Sequence, residues 1–150
     1  MHTTELPINQ ILGIHLARDD DAHLLELKES TQLLNHVGTV HASGQFALAE
    51  ACSGEFLLQH LGALPQKTNG VLRAAEVKFR KPAHGTLRAT PGFAEGDAKQ
   101  LMDHLHRKGR ALASVNVEVT DAHGVMTMRG QYDWFLQSVA DVPAAEDQSD

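Results

Sequence analysis

Much is missing from this 150-residue sequence, and each absence narrows what it can be. It has one cysteine, Cys52, so no internal disulfide framework can form, and a lone thiol fits a reducing cytoplasm. A chain of this length buries roughly 70% of the surface its unfolded form exposes and needs no such staple. Aromatic residues are only 5% of the chain. No apolar run approaches the ~20 residues that span a bilayer, so no membrane association is expected. Met1 to Gln10 shows no cationic start followed by an apolar stretch, so no export leader is expected. Cationic excess is absent too. Lys and Arg number 13 against 19 Asp and Glu, a formal net charge of -6, which disfavours a general nucleic-acid binder.

Patterning supplies what composition does not. Ile11 to Lys28 alternates around an acidic break, Asp19-Asp20-Asp21, and predicts two strands, with a short helical turn at Pro7 to Gln10. Ser30 to Val40 has no period and reads as a loop. From Ala42 to Gly62 there is no proline, and apolar residues cover nearly the whole helical circumference, the mark of a buried helix. Its first half is built of small residues, and Gly62 and Pro65 end it. Four period-2 runs follow, Val71 to Arg80, Gly85 to Phe93, Arg110 to Thr120 and Val125 to Phe135. They predict antiparallel strands with one face buried. A short helix is expected over Asp97 to Lys108, and Asp121 to Gly124 reads as a hairpin turn. One domain is expected over 1–138, with an acidic, flexible tail over 139–150.

A helix apolar all round must be covered on every side, and a strongly curved sheet wrapped around it does so. The expected class is therefore α+β, in the order ββαββ(α)ββ. A sheet of this kind leaves an edge that a second copy would cover.

The chemistry-bearing segment runs Asn35-His36-Val37-Gly38-Thr39-Val40-His41-Ala42-Ser43-Gly44-Gln45-Phe46-Ala47-Leu48-Ala49-Glu50. It resembles the loop-and-helix signature of the phenylacetate-pathway (PaaI-like) acyl-CoA thioesterases, hotdog-fold proteins of the 4-hydroxybenzoyl-CoA thioesterase superfamily. Asn35, Gly38, His41 and Glu50 fall at matching offsets, while Ala42-Ser43 stands where the family has Gly-Gly.

The resemblance implies hydrolysis of acyl-CoA or related thioesters, with CoA as part of the substrate and no other cofactor. Glu50 would act as general base or as nucleophile. The backbone N–H of Ala42, with Ser43 beside it, would stabilise the oxyanion. Asn35 would hold the carbonyl or the water, and Thr68, in the loop before the third strand, would orient the water. Gly38 and His41 would shape the loop and fix it to the helix. Arg80 and Lys81 are candidates for the CoA phosphates, with Lys108 and Arg110 behind them.

Two residue-level arguments stand beside the resemblance. Glu50 reads as the carboxylate deepest in the most apolar element, where an unpaired charge is costly. Ala42 and Glu50 are eight residues apart on one helix, roughly 12 Å along its axis, too far for one thioester carbon to touch both. A composite site is expected, and the resemblance implies Asn35 and Ala42 from one subunit and Glu50 and Thr68 from the other. The expected assembly is a homodimer at least, or a homotetramer built as a dimer of dimers. A non-catalytic acyl-CoA binder using the same pocket is the alternative reading. Ten histidines show no ligand spacing for a metal.

Overall fold

The computed structural model describes residues 1–18, 22–62 and 67–139. After a 3-10 turn at Thr3–Glu5 come helix α1 (Pro7–Leu12), strands β1 (Ile14–Leu16) and β2 (Leu25–Leu27), and a second 3-10 turn at Thr31–Leu33. Helix α2 (Ala42–Leu61), β3 (Thr68–Phe79) and β4 (Leu87–Phe93) follow, then helix α3 (Ala98–Lys108), β5 (Arg110–Thr120) and β6 (Met126–Ser138). The six strands form one antiparallel sheet in the order β1-β2-β4-β5-β6-β3.

The sheet curls around α2, which is the hotdog fold. On β5, Val115, Val117 and Val119 are buried, while Asn116 and Glu118 between them face outward. On α2, Leu48, Ala49, Cys52 and Leu57 meet that inner face with 2% exposure or less. Apolar desolvation of this shared layer holds helix and sheet together. Burial also pushes the Cys52 thiol far above its ordinary value, and nearby Glu55 adds to the shift, so the thiol is a core group and not a nucleophile.

Several boundaries differ from those read in the sequence. Strand β3 starts at Thr68 and pairs with Ser138, so Thr68 is a strand residue, not part of the preceding loop. Polar Thr68 and Asn69 and Gly70 hide this start, because cross-strand pairing and not alternation sets it. Helix α2 ends at Gly62 in a right-handed conformation. Pro65, the acidic break at residues 19–21 and residues 140–150 of the expected tail lie outside the described residues.

The two edges of the sheet are unequal. Strand β1 is three residues long, a length that offers little to an incoming strand. Strand β3 is 12 residues long, and Val71 and Phe79 on it are 56% and 45% exposed.

Candidate active site

The loop before α2 is closed on itself. The Asn35 side chain accepts from the backbone N–H groups of Val37 and Thr39, both at 3.0 Å, and donates to the Thr39 hydroxyl at 2.8 Å. Gly38 turns the loop at φ 77°, a conformation that favours glycine. A bridge between Leu34 and Val40 closes the base, and the Val40 N–H donates to the Ala83 carbonyl at 2.9 Å. The Asn35 carboxamide thus shapes the loop through three local bonds.

His41 sets the start of α2. Its Nδ1 accepts from the Ser43 N–H at 2.9 Å, and its carbonyl accepts from Gly44 at 2.9 Å and Gln45 at 3.2 Å. A helix opens with four N–H groups lacking intrahelical partners. Here the N–H groups of Ser43, Gly44 and Gln45 are taken, and that of Ala42 has no acceptor among the described residues. No described non-glycine residue has positive φ, so Ala42 keeps its donor without backbone strain. Of the two oxyanion candidates, Ser43 has its amide engaged by the cap and Ala42 does not.

A cavity of about 340 Å³ opens at this point, lined by Asn35, Val40, Ala42, Gln45, Phe79, Arg80, Lys81 and Pro82. Four residues singled out in the sequence, Asn35, Ala42, Arg80 and Lys81, therefore meet in one place. Arg80 and Lys81 leave the end of β3 with exposed side chains, and neither is ion-paired among the described residues. Their backbone N–H groups both donate to the Thr127 carbonyl, at 2.7 and 3.3 Å. A second hollow of about 430 Å³ lies on the outer face of β3, β5 and β6 around Gly130. None of the candidate residues lines it, and its walls are the charged and amide side chains of Glu76, Lys78, Glu118, Arg129 and Gln131. The smaller cavity is the better site on chemical grounds.

Glu50 lies two turns further along α2, half-buried, its carboxylate with no hydrogen-bond partner among the described residues. Burial raises its carboxyl above the ordinary value. Burial first, and the negative charge of Glu50 second, also push the Tyr132 hydroxyl upward. Tyr132 donates to the Phe46 carbonyl at 3.2 Å, which places its ring beside this stretch of helix. Glu50 is not the deepest carboxylate. Glu55 is, at 1% exposure, and it is satisfied by Thr3 and His2 from the N-terminal segment.

Thr68 stands apart. Tyr132 pairs with Ala75 and Ser138 with Thr68, which puts Thr68 roughly 20 Å along the sheet from Tyr132 at ~3.3 Å per residue. Its hydroxyl is buried without a hydrogen-bond partner among the described residues, Glu50 of the same chain included. Gln45, which lines the cavity, and Thr127, which binds it from behind, went unread as site residues in the sequence. The signal for Gln45 was an amide in the first turn of an otherwise apolar helix. Among the described residues, no group of three His, Cys, Asp or Glu could hold a metal ion, and no helix is long and apolar enough to cross a membrane.

Solved structures with this architecture include a Pseudomonas aeruginosa protein of unknown function described as a probable thioesterase. It matches with a TM-score of 0.73 at 23% identity, over 91% of each chain. PaaI of E. coli, from the phenylacetic acid degradation operon, matches with a TM-score of 0.61 at 16% identity, over 91% of this chain and 86% of its own. A Bacillus halodurans protein solved with CoA matches with a TM-score of 0.59 at 18% identity, over 75% of this chain and 69% of its own. At these identities the likeness establishes the hotdog fold. No curated protein matches the sequence. Residues 14–136 match the family described as Domain of unknown function (DUF4442), and the chain belongs to that family.

Proposed function

We propose that this protein hydrolyses acyl-CoA or closely related thioesters. One observation carries the reading: Ala42, whose N–H at the positive end of a 20-residue helix has no partner among the described residues, lines a cavity flanked by two cations that are unpaired among those residues. The thioester carbonyl oxygen would accept from Ala42, and the CoA phosphates would lie toward Arg80 and Lys81. As the carbonyl carbon becomes tetrahedral, negative charge grows on the oxygen that Ala42 faces, so this donor counts for more in the transition state than in the ground state.

The second half of the reaction falls to Glu50. Its separation from Ala42 along α2 calls for the carboxylate of a second copy, so the working unit is a homodimer at least, with a dimer of dimers as the larger form. In the general-base route Glu50 of the partner subunit takes a proton from water as the water attacks the carbonyl carbon. The C–S bond then breaks, and the proton passes to the leaving thiolate, giving a carboxylic acid and free CoA. In the nucleophilic route the same carboxylate attacks the carbonyl carbon and the C–S bond breaks to expel the CoA thiolate. Water then cleaves the resulting anhydride to the carboxylic acid and Glu50, whose proton passes to the thiolate. The fold relatives described as thioesterases, and the one solved with CoA, are consistent with this chemistry. The lone buried thiol suits a cytoplasmic setting.

The decisive experiment is a hydrolysis screen over aromatic, short-chain and long-chain acyl-CoAs, with Glu50→Ala alongside. Turnover of at least one class by the wild type, lost in the variant while CoA binding persists, supports the proposal. Binding without turnover across the whole panel would replace it with the non-catalytic reading.

A further inference from the structure

We propose that the side-chain amide of Gln45 is a second hydrogen-bond donor to the thioester carbonyl oxygen, beside the Ala42 N–H; this rests on the hydrolytic reading above. Gln45 is 4% exposed and lines the same cavity as Ala42. It stands three residues further along α2, so the two share a helix face. Helical side chains tilt toward the N-terminus, which carries the Gln45 amide back toward the level of the Ala42 N–H.

The orientation of the amide is set from behind. Thr127, fully buried on β6, donates its hydroxyl to Gln45 Oε1 at 2.8 Å, in preference to the Val119 carbonyl at 3.4 Å. With the oxygen engaged, the nitrogen carries two N–H groups with no acceptor among the described residues. The nitrogen stays open to the cavity, for the Thr68 hydroxyl is the one fully buried side-chain polar atom without a partner among the described residues. A carbonyl oxygen arriving in the cavity would accept from that nitrogen. The same Thr127 receives the backbone N–H groups of Arg80 and Lys81 on its own carbonyl, so one residue holds both the amide and the cationic strand end.

Three variants test this on the acyl-CoA that the wild type turns over best. Gln45→Glu keeps an acceptor for Thr127 but presents an oxygen, not a donor, to the substrate. Gln45→Met keeps the length and loses both functions, and Thr127→Val leaves the amide unanchored. The expected result is a fall in kcat of about 100-fold for both Gln45 variants, the scale of losing one oxyanion donor. KM and CoA binding should stay within a few-fold of wild type, with a smaller kcat loss for Thr127→Val. A purely structural role would not separate kcat from KM in this way. If a folded Gln45→Met enzyme keeps wild-type kcat, the inference is overturned while the hydrolytic reading stands. Should both Gln45 variants fail to fold, wild-type kcat in Thr127→Val overturns it instead. If the wild type cleaves nothing in the panel, the hydrolytic reading falls and this inference falls with it.

Discussion

Thr3 closes over the buried carboxylate of Glu55, donating its backbone N–H at 2.7 Å and its hydroxyl at 3.0 Å to the same oxygen. His2 Nδ1 meets the other oxygen at 2.5 Å. Because Glu55 is 1% exposed, these groups replace its water. Thr3→Ala should therefore cost about 2 kcal/mol, the range for a bond to a charged group. Removing residues 1–5 should cost about 3–5 kcal/mol, as for a buried charge stripped of its partners. Urea unfolding followed by circular dichroism measures both, and equal stability of the shortened chain would show that the clasp contributes nothing.

Ala42 occupies the first helical position, where proline is well tolerated, and His41 before it has ψ 141°, which suits a residue preceding proline. Ala42→Pro thus deletes one N–H and little else. We expect kcat to fall about 100-fold with the melting temperature unchanged. Mixing Ala42→Pro with Glu50→Ala subunits should restore activity, because a mixed dimer contains one site with an intact Ala42 and an intact Glu50. No recovery on mixing would place both groups in a site within one chain.

The raised carboxyl of Glu50 has a signed consequence. Below the ordinary value of 4.5 the native and unfolded chains both hold the proton, and the residue is silent. Above 4.5 the unfolded chain releases it first, so the native state loses stability relative to the unfolded one until its own higher value is passed. Glu50→Gln should accordingly melt higher than wild type at pH 7 and match it near pH 4. In kcat/KM the acid limb should lie above pH 4.5, since a base or nucleophile works only when ionised. Melting curves and rate profiles at both ends of this range decide it.

Arg80→Ala and Lys81→Ala should each raise KM for an acyl-CoA about tenfold with little change in kcat, the magnitude of one charge-assisted bond to phosphate. The effect should shrink as salt rises, because both side chains are exposed. A truncated thioester lacking the nucleotide should be indifferent to either change. If it is not, the two cations serve the fold and not the ligand.

Much of the architecture was legible because the sheet has one wet face and one dry face. Val115, Val117 and Val119 announce β5 by alternation alone, and α2 declares itself by length and by apolar residues on every side. The segment around Asn35 to Ala42 was legible for another reason: the side-chain bonds of Asn35 and His41 that shape it are local, reaching Val37, Thr39 and Ser43. What stayed hidden depends on distant partners. Glu50 and Glu55 look alike in sequence, and only the arrival of Thr3, 52 residues away, makes Glu55 the buried one. Gln45 takes its orientation from Thr127, 82 positions on. Thr68 lies in a strand because Ser138 pairs with it, a fact no local pattern carries.

The unequal sheet edges bear on how this protein must be handled in solution. A 12-residue strand leaves roughly 40 Å of edge backbone without a neighbour among the described residues, at ~3.3 Å per residue. If a second copy covers it, folding and association are one equilibrium, and protein concentration becomes a thermodynamic variable like temperature or urea. Melting temperature should then climb with each tenfold rise in concentration, and a dilute assay would report on dissociated chains before it reported on chemistry.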